Sequence, residues 1–180
     1  MSLLTQYREK LHLKGVVKDF HQQKKPAGDF SGMATVGILF DATDTAISQE
    51  ALTFIKKLAK QAKTVTTLGF VNVKEVKEEL PFDFFCKKDL DWLWRPKGDV
   101  PTLFKQQKFD LLINLSQTDC FPLEYLAVSI DANYKIGALT EYPNNYDLML
   151  DTKSFSNYLE QVNFFLHKFS TASKEVVSAK

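Results

Sequence analysis

The sequence predicts an α/β protein: a three-layer sandwich built on a mostly parallel sheet of five or six strands, with an extra N-terminal helix. Three observations carry this expectation. Short, continuous apolar runs recur along residues 31–170. Segments with a 3.6-residue apolar period separate them, as in βαβ units. The chain, at 180 residues with 44% apolar and 25% charged, is long enough for one domain with a real core. Flavodoxin-like and half-Rossmann arrangements both fit this spacing.

In chain order, residues 3–21 predict a helix. Leu4, Tyr7 and Leu11 form one stripe, and Leu13, Val16, Val17 and Phe20 form another after a slip at Gly15. The polar stretch QQKKPAGDFSGMA at 22–34 reads as a linker. TVGILF at 35–40 lacks polar alternation, as strands covered on both faces do. The turn DATDTA leads to a helix at about 48–63, with a wide stripe of Ala51, Leu52, Phe54, Ile55, Leu58, Ala59 and Ala62. VTTLGFV at 65–71 reads as a second strand, KEVKEEL at 74–80 as a short helix, and Phe82–Cys86 as a third strand. A helical turn is expected near 101–107. FDLLINL at 109–115 is the strongest strand signal, and Pro122 suits the first turn of a helix reaching about Ala132. Short strands are expected at 134–137 and 146–150. The last helix is set by Phe155, Tyr158, Leu159, Val162, Phe165, Leu166 and Phe169, with Ser154 placed to cap it. Domain organisation follows: an N-terminal helix and linker over 1–30, the α/β domain over 31–170, and a flexible tail over 171–180.

Composition excludes several classes. Seven Gly and six Pro are too few for fibrous or low-complexity chains. Two Cys make neither a disulfide framework nor a cysteine zinc site. No apolar run approaches the roughly 20 residues of a membrane span, and Arg8, Glu9, Lys10 and His12 interrupt any signal peptide. A reduced cytoplasmic protein is the expectation. The net charge of +1 hides an asymmetry: six basic and three acidic residues over 1–30, three Lys and Glu175 over 168–180, and 14 basic against 18 acidic between. The basic termini suit a protein or RNA partner, although charges of this size more often mark merely solvated ends. No DNA-binding motif occurs, and no oligomeric state is implied.

Chemistry is narrowed mainly by what is missing. The turn FDATDTA has no Gly, so neither a dinucleotide fingerprint nor a P-loop is present. The histidines are His12, His21 and His167, leaving none within 22–166 for a triad in the sheet. No GxSxG elbow exists. No catalytic residue, metal site or cofactor is implied. In open parallel sheets, ligands bind beyond the carboxyl ends of the strands. That rule selects Asp41, Asp44, Lys87, Lys88, Asn114 and Ser116 as candidate ligand-binding residues, with Thr43, Thr118, Asp119, Thr140 and Glu141 nearby. Each has a structural alternative: Asp44 and Asp119 as helix caps, the lysines as solvated side chains, Asn114 as a loop anchor. Lysines beside Cys86 would lower its pKa, whereas a structural role for Cys86 and Cys120 is commoner. The sequence WLWR offers Trp92, Trp94 and Arg95 as a partner-binding face, or as a cover for a sheet edge.

Three stretches carry a family resemblance: VGILFDATD at 36–44, FFCKKDLDWLWRPKGDV at 84–100 and FDLLINLSQTDCFPLEYLAVSIDANYKIGALTE at 109–141, with YDLMLD at 146–151. Together they resemble an uncharacterised family of small α/β proteins from Bacteroidota, a domain of unknown function, which implies a fold and no activity. The 109–137 stretch is also faintly similar to the N-terminal half of heptosyltransferase-type glycosyltransferases, again at the level of fold. The functional expectation is a non-catalytic binding or adaptor protein for a macromolecular partner. Its main alternative is a small-ligand or nucleotide-binding enzyme with its site at the carboxyl ends of the strands. A membrane-surface role for the helix at 3–21 is a third reading.

Overall fold

The computed structural model describes residues 3–19, 34–60, 64–151 and 153–178. Its centre is a six-stranded sheet in which every pairing is parallel. The strands are β1 (Thr35–Asp41), β2 (Thr64–Val71), β3 (Phe84–Cys86), β4 (Lys108–Asn114), β5 (Asp131–Ala138) and β6 (Leu148–Leu150). Their order, β3-β2-β1-β4-β5-β6, is the six-stranded doubly wound order and not the flavodoxin-like one. The helices are α1 (Leu3–Asp19), α2 (Thr45–Leu58), α3 (Asp99–Lys105), α4 (Phe121–Ser129) and α5 (Phe155–Ser178).

The apolar runs form strands because both faces of the sheet are covered. Val36, Ile38 and Phe40 of β1 point to one side, where Ala51, Phe54, Ile55 and Leu58 of α2 meet Tyr158, Val162 and Leu166 of α5. Leu39 and Leu112 point to the other side, against Phe104 of α3 and Leu123, Leu126 and Ala127 of α4. Three strand positions require glycine for close approach: a Cβ on Gly37 would lie 2.9 Å from the Phe109 ring, one on Gly69 2.7 Å from the Phe82 ring, and one on Gly137 2.5 Å from the Tyr146 ring. The added N-terminal helix lies outside α4. Leu13, with no exposed surface, packs with Val16 and Val17 of α1 against Phe121, Tyr125, Val128 and Tyr142. A buried hydrogen bond from the Tyr142 hydroxyl to Glu9 (2.8 Å) fixes it there.

Element boundaries depart from the sequence expectations in instructive ways. The slip at Gly15 does not break α1, which runs straight through it. Helix α2 starts at Thr45, earlier than expected, because Asp44 accepts from the amides of Ala46 and Ile47 as its N-cap. Residues 74–80 are not helical: apart from half-buried Val76 and Leu80 the segment is exposed, and two apolar residues are too few to hold a helix on the domain. Helix α4 stops at Ser129, and Ile130 is already extended. The buried Lys135 of β5 donates to the Ala127 and Val128 carbonyls that end the helix (2.8 and 3.3 Å). Strand β5 therefore begins at Asp131. Helix α5 continues to Ser178, through the residues expected to be a tail, since STASKEVVS contains neither Gly nor Pro. The expected linker at 22–34 lies, apart from Ala34, outside the described residues, as does Phe20.

Candidate functional site

The order in which the chain adds strands reverses between β1 and β4, and that switch point is where such folds bind ligands. The chain leaves β1 for α2 on one face and leaves β4 for α4 on the other, the arrangement that places a crevice between two strand ends in such folds. Asp41, Asn114 and Ser116 come together there at adjacent strand ends. The Asp41 carboxylate accepts from the Thr43 amide at 2.9 Å. Asp44 is engaged as the α2 cap, at 2.8 and 3.0 Å from the Ala46 and Ile47 amides. Here the chain itself fills that position. Leu115 is buried and its amide donates to the Leu39 carbonyl at 2.7 Å, extending the ladder past β4. Ser116, also buried, donates its hydroxyl to the Thr118 carbonyl at 3.0 Å.

Asn114 belongs to a buried polar network. Its amide nitrogen donates to Glu124 at 3.1 Å and to the Tyr146 hydroxyl at 2.8 Å. Tyr146 donates in turn to the other Glu124 oxygen at 3.0 Å. From the opposite face of the sheet, the Tyr158 hydroxyl donates to the Asn114 backbone carbonyl at 2.7 Å. Burial pushes the Glu124 carboxyl up to about 7, against the opposing hydrogen bond from Tyr146. The sequence reading missed Glu124. The signal for it was a single acid inside the otherwise apolar FPLEYLAV, in the first turn of its helix.

Lys87 and Lys88 do not join this group. They follow β3, the edge strand, two positions from β1, a lateral distance of about 10 Å. Both are exposed, and Lys88 pairs with Glu75 at 3.3 Å. Nor do they activate Cys86. Burial raises that thiol, and Asp89, which accepts from both the Cys86 amide (2.9 Å) and its thiol (3.4 Å), raises it further. Cys120 is likewise raised by burial.

The WLWR segment forms a small, tightly tied loop. Leu90 bridges Pro96, the Asp91 amide donates to the Arg95 carbonyl, and the Trp94 amide donates to the Asp91 carbonyl. The Asp91 carboxylate accepts from the Leu93 and Arg95 amides at 2.8 and 2.9 Å and from the Arg95 guanidinium at 2.6 Å. Burial raises the Asp91 carboxyl, but these bonds outweigh it and hold it below its usual range. Trp94 takes a φ of +63°, which no other non-glycine among the described residues does, a conformation that costs about 1–2 kcal/mol. The loop leaves Trp92 77% exposed and Trp94 40% exposed.

A groove of about 520 Å³ separates α2 from α5, with Glu50, Lys57, Glu160 and Asn163 on its rim and Phe54 and Leu159 in its floor. Among the described residues no cluster of three or more metal-ligating side chains occurs. No described helix is long and apolar enough to cross a membrane.

Residues 8–169 match the model of a family of unknown function, DUF6913, and the chain belongs to that family. No curated protein and no solved structure matches it.

Proposed function

For this DUF6913 chain we propose a non-catalytic binding or adaptor role, in which Trp92, Trp94 and Arg95 engage a macromolecular partner. The observation that carries the reading is the exposure of Trp92, at 77%, on a loop whose shape Asp91 fixes by three side-chain hydrogen bonds. Tryptophan is strongly buried on average, and an indole held outward on an ordered turn loses little entropy on binding. Such preorganised aromatics are the usual energetic centre of an interface. The two cysteines are free and buried, which suits a reducing cytoplasmic setting. The test compares partners co-purified from lysate at low salt by the full chain and by Trp92→Ala. The variant is expected to keep its melting temperature and to lose the partner by about 30-fold or more, the size of a hot-spot residue. An unchanged partner set overturns the reading.

A second reading, a small-ligand or nucleotide-binding enzyme, is favoured by one observation. The doubly wound order brings Asp41, Asn114 and Ser116 to neighbouring strand ends at the switch point. Lys87 and Lys88 stand too far along the sheet to share that site. A melting-temperature rise with a nucleotide, sugar nucleotide or divalent metal supports this alternative, since selective binding to the folded state stabilises it. Unchanged melting across the whole set removes it.

A further inference from the structure

We propose that α1 is a pH-sensitive strap: protonation of His12, in the seam between α1 and α4, releases the helix and uncovers the apolar outer face of α4. The proposal goes beyond the binding reading above and does not depend on it. Three observations support it.

The first is the setting of the imidazole. The His12 ring lies flat on Tyr125 of α4, with 5.7 Å between centres at 8°, and its centre is 6.4 Å from that of Phe121. Its Nε2 is buried and makes no hydrogen bond with a described residue. A neutral ring tolerates such a place, whereas an imidazolium brings a charge and an N–H that needs an acceptor. Glu9, one turn earlier on α1, already accepts from the Tyr142 hydroxyl at 2.8 Å. Lys10 pairs with Glu141 at the exposed rim. Lys105 of α3 holds its ammonium 5.4 Å from the centre of the same Tyr125 ring. Burial, the largest influence, holds the imidazole below its ordinary 6.5; the Arg95 charge lowers it further, and that of Asp91 works against both.

The second observation is how lightly α1 is held. Leu13, Val16 and Val17 supply its apolar contact with α4. Gly15 lies between them with nothing within 4 Å of an added Cβ, so helix propensity is forgone there with no gain in packing. A single helix of 17 residues with such a glycine does not hold its shape without support. Leaving α4 therefore means unfolding, which frees the amides of α1.

The third is separability. Leu123, Leu126 and Ala127 pack α4 on the sheet, whereas Phe121, Val128 and Tyr142 form a cluster of their own with Leu13. Losing α1 strips that outer cluster and leaves the inner one in place, the pattern of a local opening.

The direction with pH follows. Docked His12 binds a proton less readily than released His12, so docking is at full strength above about pH 6.5 and weakens as pH falls below it. Glu124 works the other way on the body of the domain, because burial pushes its carboxyl up to about 7.

The test is amide hydrogen exchange on the full chain at about pH 7.5 and about pH 5, corrected for intrinsic rates. Protection over residues 9–17 should fall by about fivefold or more at the lower pH, the effect of one buried, unsatisfied charge, while β1 and β4 keep theirs. His12→Phe, which retains a ring for the stack and takes no proton, should abolish that fall. Gly15→Ala should raise α1 protection by about threefold at both pH values and preserve the fall. In the native chain, the His12 ring followed by NMR should titrate below 6.5. The proposal is overturned by α1 protection that holds at the lower pH, by a fall shared with β1 and β4, by a ring that titrates at 6.5 or above, or by a docked His12→Phe chain that loses protection as the native one does. Should His12→Phe fail to dock α1, the native exchange profile and the ring titration decide without it.

Discussion

Glu124 is where a single side chain governs the most. Its folded-state value near 7 stands above the ordinary 4.5, so the folded protein holds the proton more tightly than the unfolded chain does. The stability that Glu124 contributes is accordingly full below about pH 4.5, declines as pH rises, and is lost above about pH 7. A shift of this size corresponds to about 3 kcal/mol at most. Denaturant midpoints measured from pH 5 to 8 should therefore fall in the native protein. In Glu124→Gln, which cannot ionise, that decline should flatten; an equally steep decline in the variant would place the titration elsewhere. Asp91 does the opposite job, since its carboxylate is stabilised as the anion by the amides and guanidinium it organises. The sequence marks Glu124 only as a lone acid in an apolar run, and it does not mark the role of Asp91 at all. An acid between apolar residues and an acid before WLW both look like surface residues until the helix register and the turn are known. Asp44 and Asn114 were more legible, because the end of an apolar run followed by a polar residue marks both the position and the structural alternative that each one takes.

Among the elements, α1 separates pattern from packing most clearly. Gly15 suggested a break, yet the helix continues and nothing lies within 4 Å of a Cβ added there. Gly15→Ala should raise stability by about 0.5–1 kcal/mol, seen as a melting temperature a few degrees higher. Leu13→Ala, at a position with no exposed surface, should lower stability by about 2–5 kcal/mol. If both variants proved neutral, α1 would not be docked on α4 in solution. The strands and long helices were legible because their apolar periods are long relative to the noise of single residues. The end of α4 was not. It is decided by Lys135, a residue of the following strand that folds back to satisfy two helix carbonyls, and no local pattern foretells such a long-range bond. Residues 74–80 show the converse, where charged residues with good helix propensity bring too few apolar side chains to be held as a helix.

For the molecule as a whole, the parallel sandwich was legible from alternating periods, whereas the strand order was not, since each crossover could pass to either side. The order matters because it places Asp41 beside Asn114 and moves Lys87 and Lys88 to the rim. Beside the switch point this chain inserts its own phenol. Tyr146 lies flat against Gly137, reaches Asn114 and Glu124 with its hydroxyl, and fits only because position 137 has no side chain. Removing that ring with Tyr146→Ala should cost about 3–5 kcal/mol and leave a hollow already furnished with one acceptor and one donor. A small phenol such as p-cresol should enter it and recover part of the lost melting temperature in the variant, with no effect on the native chain. Failure of any phenol to do so would mean that the walls collapse inward. A protein that carries a stopper of its own in this way offers a ready-made vacancy to whoever withdraws it.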